Sequence, residues 1–198
     1  MKIELIDLTE DNMKQCFELK VASNQMQYIA SNEDSWKAAK ENEKVARPFA
    51  ICCDEKIVGF TMFAFDEEYD DSNDRYWLWR FMIDEKLQGN GYGTAALQVI
   101  IQYFREHGAN NIRLSTKETN TTALSMYRKA GFRDTGFIGN RNFQSCGEIE
   151  RNRRFEFVGV VNSKFRCEGG KSYDSRNKAR RYITERRGDK EKFRNSSK

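Results

Sequence analysis

"YWLWRFMIDEKLQGNGYGTAALQVIIQYF", Tyr76 to Phe104, decides how this chain folds. Its first eight residues, Tyr76–Ile83, are apolar on both faces, as a buried central strand requires. Asp84 then leads into a turn that holds Gly89, Gly91 and Gly93, three of the chain's 13 glycines within five positions. Beyond the turn Ala96, Val99, Ile100, Tyr103 and Phe104 recur at helical spacing, and Gly108 supplies a stop. "NIRLST" reads as the next short strand. Strand, glycine turn, helix, strand is a βαβ unit.

Glycines between a strand and a helix suggest a bound phosphate, but two known loops do not fit. A P-loop needs a lysine after its last glycine, and a dinucleotide fingerprint needs GxGxxG; here both gaps between the glycines are one residue long. What remains is physical. Three residues able to take φ > 0 let successive N–H groups point into one concavity, and a helix N-terminus adds its unpaired N–H groups and positive dipole end. From the glycines alone, a phosphate cradle and a plain tight turn stay equally open.

Working outward, "TEDNMKQCFELKVAS" predicts a first helix with Thr9 as its cap. "SNEDSWKAAKENEKV" predicts a second, starting near Ser31 and ended by Pro48, the only proline. "PFAICCDEKIVGFTMFAF" reads as two strands joined at Asp54-Glu55-Lys56. Six of the nine residues from Asp66 to Asp74 are acidic, which makes that stretch a surface loop. "NTTALSMYRKAGF" is a helix capped by Asn120 and closed by Gly131. "FRDTGFI" and "RRFEFVGVV" form a last pair of strands. Residues 162–198 hold 13 Lys/Arg against 5 Asp/Glu, whereas residues 1–161 hold 21 against 25. The basic tail is nearly without aliphatic residues and is expected to be disordered or loosely attached. The domain boundary therefore falls after residue 161, with one domain at 1–161.

No apolar run reaches membrane length, and "MKIELIDLTEDN" lacks a signal-peptide pattern. The five cysteines form no CxxC and there is one histidine, so no metal site is expected. An odd number of cysteines without a signal peptide suggests reduced thiols in a cytoplasmic protein.

Gln88-Gly89-Asn90-Gly91-Tyr92-Gly93 resembles the Q/R-x-x-G-x-G/A pyrophosphate loop of the GNAT family of N-acetyltransferases. The family's second signature follows at the expected distance: Asn120, Ala123, then "MYRKAGF" from Met126 to Phe132. Two motifs in order are far more specific than either alone. The segments "ASNQMQYIASNEDSWKAA" and "GFTMFAFDEEYDD", with the opening stretch, are similar to the bacterial spermine/spermidine (diamine) branch. The resemblance covers residues 1–160. It implies an α/β (α+β) fold: a mixed, mostly antiparallel central sheet flanked by helices, with a central βαβ unit for acetyl-CoA.

The resemblance also implies roles. Phe81, Met82 and Ile83, splayed from the next strand, would offer a backbone edge to the pantetheine arm. Gln88, Gly89, Asn90, Gly91, Tyr92, Gly93 and Thr94 would hold the pyrophosphate, and Asn120 would touch the cofactor. Tyr127 would protonate the departing thiolate; a phenol near pKa ~10 and a thiol near ~8.5 share a proton readily. Without the motif, Tyr127 reads as an amphipathic core tyrosine. An alkyl amine is mostly protonated at neutral pH, so a carboxylate must take its proton. Glu67 is favoured, with Asp66 and Glu68 beside it and Asp84 behind, and such acids would also hold a polycation. Gln25 and Tyr28 would line the acceptor side. Trp36, Trp77 and Trp79 read as core or wall, and Cys52-Cys53 as strand packing.

The expected function is acetyl transfer from acetyl-CoA to a primary amine of a polyamine or diamine, by direct attack in a ternary complex. Aminoglycoside-like or protein amines are the in-class alternative. A non-catalytic CoA-binding module whose basic tail contacts nucleic acid is the alternative of a different class. The expected partner is a small cationic amine; no membrane partner is expected, and nucleic acid enters only through the tail. A homodimer is compatible with this reading.

Overall fold

The computed structural model describes residues 1–65, 75–138 and 154–160, all within a compact unit, Met1–Asn162. The expectations for residues 162–198 and for the acidic stretch 66–74 lie outside the described residues.

In chain order the elements are β1 (Ile3–Asp7), α1 (Met13–Glu18), a 3₁₀ turn (Ser23–Gln25), α2 (Asn32–Glu41), β2 (Ala46–Cys53), β3 (Lys56–Phe65) and β4 (Tyr76–Ile83). A second 3₁₀ turn (Glu85–Leu87), α3 (Tyr92–Glu106), β5 (Asn111–Lys117), α4 (Thr121–Lys129), β6 (Phe132–Ile138) and β7 (Arg154–Val160) follow. The strands make a seven-stranded sheet in the order β1-β2-β3-β4-β5-β7-β6. Every neighbouring pair is antiparallel except β4–β5, which is parallel because α3 crosses between them. This is the expected mixed, mostly antiparallel sheet with a βαβ unit at its centre.

Alternate residues of the central strands face opposite layers. Phe60, Met62 and Met82 pack with Cys16 of α1 and Ala39 of α2, while Phe49, Phe63 and Leu78 pack with Leu97, Ile100 and Phe104 of α3 and Leu124 of α4. Phe63 is the hub of the second layer, with ring centroids 4.5 Å from Phe104, 5.0 Å from Phe49 and 5.2 Å from Tyr103. Trp77 is buried, and Trp36 and Trp79 border the α1–α2 layer, which matches their expected core or wall role.

Four local expectations are corrected. The first strand, β1, went unread: it is a short edge strand with only Ile3 and Leu5 partly covered. Thr9 does not cap α1; Asn12 takes the N-cap position, and its carboxamide bonds the Thr9 N–H and the Asp7 carbonyl instead. Pro48 does not end α2, which stops at Glu41 with Asn42 as C-cap. Pro48 lies in β2 just where β1 pairing gives out, its carbonyl accepting from Leu8 N–H at 3.1 Å, so its missing N–H costs no ladder bond to β1. Finally, the β2–β3 turn is Asp54–Glu55 alone, both at positive φ (47° and 69°), and Lys56 already belongs to β3.

Candidate active site

The site begins with a strand pair that does not stay paired. β4 is joined to β5 at one register position, Trp77 opposite Arg113. β4 nevertheless stays on β3 as far as Gly59 opposite Ile83, and β5 stays on β7 as far as Lys117 opposite Arg154. The C-terminal halves of β4 and β5 therefore diverge into an opening with its apex at Trp77 and Arg113. The cause is on β4: Met62 faces Arg80 but Phe63 faces Leu78, leaving Trp79 as an extra residue. Such a bulge bends and twists its strand. The Thr61 hydroxyl, fully buried, donates to the Arg80 carbonyl at 2.8 Å and pins the bend. Phe81, Met82 and Ile83 thus lie on the part of β4 that pairs with β3 and not with β5.

The glycine turn closes the wide end. Gly89 and Gly91 have φ of 79° and 84°, and a Cβ on either would meet no atom within 4 Å. Glycine is needed there for its backbone angle and not for space. Gly91 is the N-cap of α3 with no side-chain cap, and the first bond of the 15-residue helix is Ala95 N–H to Gly91 carbonyl at 3.0 Å. The N–H groups of Tyr92, Gly93 and Thr94 precede that bond and are the ones a helix leaves for an anion. Asn90 folds the turn by donating to the Leu87 and Gln88 carbonyls. Gly93 lies at packing distance from both neighbours: a Cβ there would stand 3.4 Å from Met126 Sδ and 3.7 Å from Ile83 Cγ1, ordinary contact distances. The first turn of α3 is so brought against both α4 and the end of β4. An open, donor-rich turn beside an unpaired strand edge fits a long anionic thioester such as acetyl-CoA.

α4 carries the other two motif residues. Asn120 holds the N-cap position without capping; its amide donates to Thr116 Oγ1 at 3.2 Å, which corrects the expected cap bond. Tyr127 is buried beside Leu124, with its ring centroid 5.7 Å from that of Phe132. Burial pushes its phenol above the ordinary tyrosine value. It keeps its proton at neutral pH, and the shift moves it further from an ordinary thiol than the close match expected from the sequence.

The segment after α1 crosses the opening. Lys20 N–H donates to Asp84 Oδ2 at 3.2 Å, and Glu85 N–H returns to the Lys20 carbonyl at 2.7 Å. Gln25 and Gln88 exchange two carboxamide bonds, each 2.9 Å. Tyr28 Oη donates to the Thr119 carbonyl at 3.0 Å, next to Asn120. Asp84 also accepts from Lys86 N–H at 3.0 Å, so both its oxygens are engaged in capping the turn. Asp66, Glu67 and Glu68 lie outside the described residues. The strand leading to them ends at Phe65, opposite Tyr76, one residue from the apex of the opening.

Burial pushes the Cys52 and Cys53 thiols upward, in keeping with their place as packed strand residues. Among the described residues no group of three His, Cys, Asp or Glu side chains is placed to hold a metal, and no helix is long and apolar enough to cross a membrane. Sequence reasoning missed Thr61, the Trp79 bulge, and Thr116 and Thr119, whose roles come from partners far along the chain.

A model of the "Acetyltransferase (GNAT) family" matches residues 8–132. The spermine/spermidine N(1)-acetyltransferase of Bacillus subtilis (strain 168) is 36% identical over 139 residues, 69% of this chain and 91% of that protein. The spermidine N-acetyltransferase of Vibrio cholerae, solved with CoA and spermine, superposes with a TM-score of 0.60 at 15% identity, over 80% of this chain and 95% of that one. The ribosomal-protein-S18-alanine N-acetyltransferase of Escherichia coli gives 0.58 at 16% identity, over 86% and 100%. At such identities the two structures speak for the fold alone.

Proposed function

The chain belongs to the acetyltransferase (GNAT) family and is an acetyl-CoA-dependent N-acetyltransferase; from that premise we propose that its acceptor is a primary amine of a polyamine or diamine such as spermine or spermidine. The observation that carries this is the likeness to the B. subtilis enzyme over nearly all of that protein's length. The charge of the acidic run, six acids among residues 66–74, accords with a polycation.

In this reading the donor lies in the opening, with Phe81, Met82 and Ile83 along its arm. The backbone of the turn Gly89, Asn90, Gly91, Tyr92, Gly93 and Thr94 holds the pyrophosphate, with Gln88 at the entry of the turn, and Asn120 touches the donor. Glu67 takes the ammonium proton, directly or through water, while Asp66 and Glu68 hold distal charges. The amine then attacks the thioester carbonyl; the new C–N bond forms, the C–S bond breaks, and the Tyr127 hydroxyl gives the leaving sulfur a proton. The acylated nitrogen's surplus proton passes through water to the Tyr127 phenolate, and Glu67 releases its own proton to solvent. Gln25 and Tyr28 wall the acceptor side; with their polar atoms bonded to the donor loops, they offer an acceptor stems and ring faces. A cytoplasmic setting and a domain boundary after residue 161 belong to the same proposal.

The test is acetyl-CoA consumption with spermine, spermidine, putrescine, an aminoglycoside and an N-terminal alanine peptide. The proposal expects the highest kcat/KM with one of the polyamines. Turnover confined to the aminoglycoside or the peptide would replace it.

A further inference from the structure

Gln25 was expected to face the acceptor, yet its carboxamide is engaged elsewhere. Its Nε2 donates to Gln88 Oε1, and its Oε1 accepts from Gln88 Nε2, both at 2.9 Å, and from Ala22 N–H at 3.3 Å. The second hydrogen of Gln88 Nε2 goes to the Ile83 carbonyl at 2.9 Å, and the Gln88 backbone N–H to the Glu85 carbonyl at 3.4 Å. Gln88 has therefore committed its donors before any phosphate arrives. It does not grip the anion; it ties the last residue of β4 to the residue preceding Gly89.

The pair is 63 positions apart in the chain and both side chains are half-buried, so it ties the entry of a turn that Asp84 and Asn90 hold only locally to the segment after α1. Gly89 and Gly91 add freedom there, because each can leave its positive φ without steric penalty. A turn whose N–H groups must converge on one anion needs an external restraint. The backbone bond from Glu85 N–H to Lys20 at 2.7 Å fixes the preceding residues, and the Gln25–Gln88 pair fixes the turn itself.

We propose that Gln25 is a positioning residue of the donor site: its paired carboxamide holds Gln88 so that the glycine turn meets the donor's pyrophosphate in a binding-competent pose. This rests on the turn being the pyrophosphate seat. A residue beside the acceptor thereby sets affinity for the donor.

The experiment measures CoA affinity by calorimetry and the two KM values for Gln25→Met, Gln25→Ala, Gln88→Met, the Gln25→Met/Gln88→Met double variant and Gly91→Asp. Methionine keeps the stem and deletes the bonds; alanine serves if methionine perturbs folding. Either Gln25 variant should weaken CoA binding roughly 2- to 12-fold, the worth of one net hydrogen bond, and Gln25→Met, which keeps the stem, should leave acceptor KM unchanged. The double variant should be no weaker than Gln88→Met, because the two residues act as one unit. Full CoA affinity with a raised acceptor KM would overturn the proposal, as would a lowered melting temperature with no change in CoA affinity. Independent, multiplying effects of the two substitutions would also overturn it. Gly91→Asp separates the premises: if it binds CoA normally, the pyrophosphate seat itself is misassigned. If it fails while Gln25→Met binds normally, only the role of Gln25 falls.

Discussion

Replacing Gly91 by aspartate and by asparagine separates a phosphate cradle from a mere corner, because the two models predict effects of different kinds. Gly91 sits at φ 84° with no atom within 4 Å of a would-be Cβ, so either side chain fits, and the only local cost is the left-handed backbone. That cost is about 1–2 kcal/mol for most residues and less for Asn and Asp. Against it, both are favoured N-caps, and a carboxylate at the N-terminus of α3 gains about 0.3–1 kcal/mol from the dipole. A plain turn should thus accept aspartate with little change in melting temperature and none in turnover. In a phosphate cradle the carboxylate stands where the donor's anion belongs. Like charges about 4 Å apart repel by roughly 1 kcal/mol in water and about 4 kcal/mol at an effective dielectric near 20. At 1.4 kcal/mol per tenfold, Gly91→Asp should bind CoA from about 5-fold to several hundredfold more weakly than Gly91→Asn. Calorimetry at low salt reads this directly, and the gap should narrow near 1 M salt, where the Debye length falls to about 3 Å. Equal CoA affinity of the two variants at low salt would refute the cradle.

Three further outcomes are expected. Tyr127→Phe should lower kcat by about 10²-fold or more with little change in acetyl-CoA KM, and a wild-type kcat would remove the proposed acid. Gly59→Ala should cost about 1–3 kcal/mol and weaken CoA binding, because its Cβ would strike the Met82 carbonyl oxygen and come within 2.8 Å of Ile83 Cδ1, shifting the strand edge that borders the opening; a melting temperature within a degree of wild type would contradict this. The Cys16 thiol is pushed up from 9.0 to about 12, by burial first and by Cys52 second. The unfolded chain then loses that proton before the folded one, so the contribution is full below about pH 9 and is lost as pH rises toward about 12. Urea unfolding from pH 8 to 11 should show this decline, and a Cys16→Ala variant should decline less steeply; identical slopes would exclude Cys16 as the cause.

What could be read from the chain alone follows local chemistry. The apolar stretch Tyr76–Ile83, the glycines and the 3.6-residue recurrence through Phe104 each constrain their own neighbourhood, and β4, the turn and α3 stand where those signals fall. β1 escaped notice because five residues with two partly covered positions give too short an alternation. Pro48 was read as a helix stop, when its tolerance at the end of β1 pairing depends on a strand 40 residues upstream. The divergence of β4 from β5 is invisible in either strand. It arises from one residue, Trp79, being surplus relative to β3, and a register offset exists only between strands. The insertion of β7 between β5 and β6 is likewise a matter of pairing. Asp84 was grouped with the acidic run by charge, whereas its partners, the Lys20 and Lys86 N–H groups, make it a cap. Composition reports the charge of a carboxylate, and the fold determines what its oxygens face.

Donor binding in the β4–β5 opening is tested most directly by amide hydrogen exchange of the whole chain with and without saturating CoA. Exchange should slow at Phe81–Ile83 and at Tyr92–Thr94, where the unpaired strand edge and the first turn of α3 leave N–H groups for the donor, with β1 and β2 unchanged. CoA that binds without protecting either segment would place the donor elsewhere and contradict the assignment.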